Sequence, residues 1–334
     1  MSEIHGTGFD AMTLHEQTAW TAALERLNST EVSRARAAVG RAARPVASVA
    51  AQVWTRVPLH DGVEEQLEKA LEGLVAVTLE PAMKSVNLDR VAKRVGVPWG
   101  QFHTVDLKQL EAASPRTRGL YSAVALAEGS ASALAITGAT VATTVSGGTT
   151  AAVAVGAVAA DAASSIALLG RIVAVAAAEY GYDVRDPEEE IFALGAISVG
   201  SAGSPAAKIA ALASLSRLTQ QMMRRATWSQ LNRNGLVKVI STVFKALGLR
   251  LTHQRLGQAV PIAGVLINGG MSAQMADQTY RRARDIYRVR FLSEKYEIDP
   301  KNWVTAQAVQ GEDEVLGSAL DELEALDEEY GAAL

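Results

Sequence analysis

An all-α fold is expected from three observations. Helix start and stop signals recur along the chain. No segment sustains the period-two alternation of a half-buried strand. Alanine, leucine and valine dominate, while aromatic residues make up only 5% of the 334 residues, so the core must be packed from small side chains. Helices built that way can approach one another closely. The length suits one large domain or two small ones.

The elements can be justified in order. Residues 11–30 and 31–57 are Ala/Arg-rich helices, the second bent at Pro45. Residues 62–79 open with the capping box Asp61-Gly62-Val63-Glu64, and 81–95 form the next helix. A short helix at 106–113 begins with the box Asp106-Leu107-Lys108-Gln109, and Ser114-Pro115 starts the next. Two long helices, 117–145 and 149–180, flank Ser146-Gly147-Gly148-Thr149 as a hairpin. Gly181 can adopt the left-handed conformation that ends the second arm. Asp186-Pro187-Glu188-Glu189 places an N-cap, a first-turn proline and a capping-box glutamate in order. Helices at 187–199, 205–231, 235–247, 251–258 and 262–296 complete the body, with Ser204-Pro205 and Asp299-Pro300 as further cap signals. Residues 313–330 form an acidic amphipathic helix with Leu316, Leu320 and Leu323 on one stripe. The chain thus divides into an N-terminal helical extension (1–60), a multi-helix domain built around the Ala/Gly/Thr-rich hairpin (61–300) and an acidic tail (301–334).

The hairpin is uncharged from Gly129 to Ala160. A helix apolar all round is buried in protein or inserted in lipid. Frequent Ser, Thr and Gly, with Asp161 and Arg171 in the second arm, favour burial over spanning. Reflected about the 147/148 turn, Glu128 lies level with residue 167, roughly 6 Å along the axis from Arg171 by helix rise. A Glu128–Arg171 ion pair is therefore expected to set the hairpin register. Glu128 and Asp161 are offset by roughly 9 Å, which does not favour paired-acid catalysis.

Charge is unevenly spread. No acid occurs from Ile191 to Ala276, a span that carries Lys208, Arg217, Arg224, Arg225, Arg233, Lys238, Lys245, Arg250 and Arg255. Arg217, Gln221, Arg224 and Trp228 fall at i, i+4, i+7 and i+11, one helical face, and Lys238 and Lys245 share another face opposite Ile240, Val243 and Leu247. Basic amphipathic helices with tryptophan fit the surface of an anionic bilayer. The same residues would equally accept the chain's own tail, where Glu312 to Glu329 are acidic and no base intervenes. Nucleic acid is not expected, because the chain is acidic overall and carries no binding motif for it.

The segment Glu179-Tyr180-Gly181-Tyr182-Asp183-Val184-Arg185-Asp186-Pro187-Glu188 resembles the central signature of the EcsC family of bacterial proteins. Ala127-Glu128-Gly129 and Asp161 upstream, Phe192-Ala193-Leu194 downstream, and Gly257 to Gly264 with Pro261, then Asn268 and Arg290-Phe291-Leu292, extend the likeness over roughly residues 62–297. The resemblance implies an α-helical, cytoplasmic protein associated with membranes. It supplies no catalytic residues.

Catalytic signals are absent from the motifs. There is no cysteine, so thiolate chemistry and disulfides are excluded, and the lack suits a reducing compartment. The N-terminus lacks a basic stretch followed by an apolar one, so no signal peptide is expected. The five histidines (His5, His15, His60, His103 and His253) share no i, i+4 spacing, and there is no HExxH, GxSxG, SxxK or Walker loop. No metal or cofactor is expected. Tyr180-Gly181 and Asp186-Pro187 read as helix punctuation. The leading expectation is a non-enzymatic, cytoplasmic protein peripheral to the membrane. It would bind anionic lipid through Arg217, Arg224, Arg225, Trp228, Lys238 and Lys245, aided by the hairpin. The alternative is a soluble module for an acidic protein partner or its own tail. A third reading is a lipid-directed hydrolase using Glu128 or Asp161.

Overall fold

A computed structural model describes residues 7–29, 77–114, 151–202, 205–224 and 263–304. Side chains in the three long central helices are described from Ala163, Lys208 and Gln274 onward. Among the described residues every regular element is helical and no strand occurs, as the composition and cap signals lead one to expect. In chain order they are α1 (Thr7–Asp10), α2 (Leu14–Asn28), α3 (77–84), α4 (Leu88–Val95), a 3-10 turn (Trp99–Thr104), α5 (Leu107–Ala113), α6 (Ala151–Glu179), α7 (Pro187–Ser201), α8 (Pro205–Met223), α9 (Ala263–Lys295) and a second 3-10 turn (Pro300–Trp303).

Helix α9 is the axis of the assembly. It packs against α2, α6 and α7, while α8 covers α7 and the Pro300–Trp303 turn. At 33 residues it runs about 50 Å by helix rise. Its C-terminal half buries Ala283, Ile286, Tyr287, Val289, Phe291 and Leu292. Elements from the first and last segments join the same core. Trp20, Ala23 and Leu27 of α2 are buried, and Trp303 is fully covered, its indole Nε1 donating to Ser293 Oγ at 2.9 Å.

The second arm of the expected hairpin is present as α6, and every residue from Ile172 to Tyr180 is buried. Among the described residues no helix is long and apolar enough to cross a membrane. The first arm, with Glu128 and Gly129, lies outside the described residues. Arg171 donates to Ser85 Oγ, just past the end of α3.

Local chemistry explains where helices begin and end, with three corrections to the sequence reading. Pro81 does not open a helix. α3 runs through it, and the break falls at Ser85–Val86, because Asn87 Oδ1 accepts from Arg90 N at 2.8 Å and starts α4. Gln109 does not close a capping box. Asp106 Oδ1 accepts from Lys108 N at 2.7 Å, but Gln109 Nε2 reaches the Val95 carbonyl at 3.1 Å and so ties α5 to the end of α4. A full reciprocal box stands instead at Thr13-x-x-Glu16, where Glu16 N donates to Thr13 Oγ1 at 3.3 Å and Thr13 N to Glu16 Oε2 at 3.0 Å.

Gly200 and Gly181 are among the glycines required by geometry. Gly200 of α7 lies against α9, and an added Cβ would come within 2.8 Å of Thr279 Cγ2 and 3.0 Å of its Cα. Gly181 has φ +89° and forms the paired hydrogen bonds of a Schellman motif: Tyr182 N to Ala177 O at 3.0 Å and Gly181 N to Ala178 O at 3.2 Å. Its Cα also faces Phe102, whose Cβ would lie 2.6 Å from a new side chain. Gly181→Ala should therefore lower stability by at least about 2 kcal/mol, combining left-handed strain with overpacking. Urea unfolding checks this, and an unchanged midpoint would mean the turn tolerates a side chain.

Candidate functional site

From Tyr280 to Lys295, α9 reads Tyr-Arg-Arg-Ala-Arg-Asp-Ile-Tyr-Arg-Val-Arg-Phe-Leu-Ser-Glu-Lys. Such a string would suit a solvated surface, yet it lies at the centre of the bundle. Each charge drawn into low dielectric must then meet a partner, or its desolvation is uncompensated. The surrounding helices supply those partners in three groups.

At the first, Arg290 is 2% exposed. Its guanidinium lies 4.1 Å from the Tyr182 ring centroid and 4.2 Å from that of Phe192. Glu189 takes it in a bidentate contact, with Nη1 donating to Oε2 at 2.6 Å, and Nε donates to Glu294 Oε1 at 2.8 Å. Tyr182 OH closes the ring by donating to Glu294 Oε2 at 2.9 Å. Glu189 was expected to cap α7. It turns to Arg290 instead, and Asp186 sits at the N-cap with no side-chain cap hydrogen bond. The physical reason is that a buried guanidinium needs a fork of acceptors more than an exposed helix start needs a second cap. Pro187 does occupy the first turn as expected.

At the second, Arg288 Nε donates to Glu111 Oε1 at 2.7 Å and Nη1 to Asp285 Oδ1 at 2.8 Å. Arg26 of α2 holds Asp285 through two bonds, at 2.8 and 2.7 Å. Tyr180 OH donates to Glu111 at 3.3 Å, and His15 Nε2 lies 3.5 Å from the other Glu111 oxygen. Burial pushes the Tyr180 hydroxyl well above its ordinary range.

At the third, Glu16 is fully buried and accepts from Lys295 Nζ at 2.8 Å and Tyr296 OH at 2.7 Å. Burial alone would raise its pKa, but the bonds from Lys295, Tyr296 and Thr13 outweigh that and hold it down at about 2. Two further cations serve helix ends. Arg282 Nη1 donates to the Val199 and Gly200 carbonyls at 2.9 and 3.1 Å, closing α7. Lys208 is 4% exposed and donates to the Ser29 carbonyl at the end of α2. Burial, with the nearby charge of Arg282, lowers its pKa to about 8.

The expected lipid-facing residues are placed in part. Arg217 of α8 and Arg224, the residue just past its end, are both exposed seven positions apart, while Leu212, Leu215 and Leu218 of the helix are buried. Gln220 Nε2 donates to Asp299 Oδ1 at 2.8 Å at the edge of that face. Arg225, Trp228, Lys238, Lys245 and Pro261 lie outside the described residues. Asp161 and Gly264 lie on α6 and α9, in the stretches whose side chains are not described. Among the described residues no three His, Asp or Glu side chains converge as a metal site.

The Tyr-Gly…Asp-Pro-Glu signature thus folds into the walls around Arg288 and Arg290. A sequence profile of the EcsC protein family matches residues 12–292. The chain belongs to the EcsC family. The match begins near the start of α2, well before residue 62, in keeping with the contacts of Glu16 and Arg26 to α9. No curated protein and no solved structure matches the chain. The ion-pair groups were not legible as sites in the sequence. Glu189 stands within a run of three glutamates and Glu16 between His15 and Gln17, so no local pattern marked them as partners for α9.

Two outcomes follow for this EcsC-family fold. Arg290→Met strands Glu189 and Glu294 in the core and should destabilise by about 3–5 kcal/mol. A double-mutant cycle with Glu189→Gln should show coupling of about 1–3 kcal/mol by denaturant unfolding, and additive losses would refute the pairing. Glu16 has the opposite sign of shift from a desolvated acid. Its folded pKa lies below the ordinary 4.5, so its contribution is present above pH 4.5 and lost as the pH falls towards 2. Glu16→Gln should flatten the stability curve in that window. Equal slopes for variant and parent between pH 4.5 and 2 would contradict the assignment.

Proposed function

We propose that the protein is a non-enzymatic, peripheral binder of anionic lipid surfaces at the cytoplasmic membrane, and that α8 carries the contact. The supporting observation is the division of α8. Its apolar residues are buried against α7, and Arg217 and Arg224 face outward together, within a span free of acids from Ile191 to Ala276. Asp299, the acid beside α8, has its oxygens engaged by Gln220 and by Lys301 at 4.0 Å. The sequence continues the basic pattern with Arg225, Trp228, Lys238 and Lys245.

Each basic residue near an anionic surface contributes about 1 kcal/mol. Changing Arg217 and Arg224 together to Glu should therefore weaken partitioning onto phosphatidylserine vesicles by about 30-fold or more at low salt. Binding to neutral vesicles should be weak for both proteins, and added salt should erase the difference. Co-sedimentation measures this, and equal binding by parent and double variant would remove the lipid reading. Deleting residues 311–334 should raise vesicle affinity at low salt if the acidic tail competes for the same face. Unchanged binding would show that it does not.

A further inference from the structure

Glu179 closes α6, where the helix dipole itself disfavours a carboxylate. The residue is 2% exposed. Its surroundings come from three packed elements and its own helix. From α9, Arg284 Nε lies 3.2 Å from Oε2, and Tyr280 OH donates to Oε1 at 3.5 Å. From the end of α5 comes the Ser114 hydroxyl, and from α4 the charge of Arg94. Next along α6, Tyr180 turns to Glu111, with Arg288 beyond it.

The pair with Arg284 is incomplete. Glu179 Oε2 and Arg284 Nε are both buried, yet neither completes a hydrogen bond. A buried ion pair offsets its desolvation only with good alignment and its remaining lone pairs satisfied. Arg290 and Glu189 meet that condition with two parallel bonds, and Glu179 and Arg284 do not. Tyr280 adds only a long contact. The charged form of Glu179 is thus held by a weak set of interactions inside the core.

We propose that Glu179 is a proton-operated contact between α6 and α9: the carboxylate holds Arg284, and the carboxylic acid releases it and donates its new hydrogen to Ser114 Oγ. Ser114 can receive that hydrogen because its own hydroxyl, which supports the carboxylate, can turn instead to the Leu110 carbonyl, 3.4 Å away. Arg284 has a way out, since its side chain is 24% exposed. Burial pushes Glu179 up to about 6, against the opposing charge of Arg284 and the Ser114 hydroxyl, so the exchange falls in a physiological range. Proton uptake removes one negative charge from the core and leaves one guanidinium free to face solvent. The switch is independent of the α8 face and of lipid binding.

The test is a carboxyl titration of the full chain carrying 13C-glutamate, followed by NMR from pH 4 to 8. One resonance, missing in E179Q, should titrate with a midpoint near 6. The Arg284 side-chain Nε–H signal should move with the same midpoint and become independent of pH in E179Q. R284M, which removes the nearest opposing charge while leaving Glu179 in place, should move the carboxyl midpoint upward by at least one pH unit. A Glu179 midpoint below 5, an Arg284 signal that does not follow it, or an unmoved midpoint in R284M would each overturn the proposal. If E179Q fails to fold, the parent and R284M titrations decide it alone.

Discussion

Arg290 is the point on which the packing of α9 turns. A guanidinium fully removed from water is tolerated only where its planar fork meets acceptors in line and its faces meet aromatic rings. Glu189, Glu294, Tyr182 and Phe192 provide both, and they come from α7, α9 and the loop between α6 and α7. The contact therefore fixes the angle at which α7 leaves the Gly181 turn and the rotation of α9 about its own axis. With that rotation set, Arg288 points to Glu111 and Lys295 to Glu16, so α5 and α2 are placed as well.

Small residues do the complementary work. Ala174, Ala176, Ala177 and Ala178 are buried on successive faces of α6, and Gly200 lets α7 approach α9 to the distance of a missing Cβ. Close approach shortens the reach that charged side chains must span, so short and long interactions depend on each other here. Buried ion pairs of this kind add less to net stability than to specificity, because desolvation offsets most of their attraction. Their consequence is a single register among helices whose Ala-rich surfaces would otherwise slide.

The basic residues of this EcsC-family chain fall into two populations with different physical fates. In α9 all but the exposed Arg281 are at least partly buried, and most are matched with acids or helix carbonyls. On α8, Lys208 is drawn inside to the end of α2, whereas Arg217 and Arg224 are turned outward by the burial of Leu212, Leu215 and Leu218 on the opposite face. Only outward residues can meet a charged surface, and the outward pair at the C-terminal end of α8 carries the proposed lipid contact. Glu179 belongs to neither population, being an acid in the core whose partner is near but misaligned.

Periodicity and punctuation determined the helical class, the extents of α6, α7 and α9 to within a few residues, and the Gly181 stop, because those depend on neighbours three to five residues apart. They also separated the exposed face of α8 from its apolar one. They did not determine where Glu189 or Gln109 would point. Both occupy the third position of a helix start, and local geometry offers each a cap. Only the folded molecule brings Arg290 within reach of Glu189 and the end of α4 within reach of Gln109, and those contacts displace the local ones. The same holds for α9 itself. Its residues have the composition of a solvated helix, and it becomes the axis of the bundle because acids more than a hundred positions away in sequence arrive at Arg288, Arg290 and Lys295 in space.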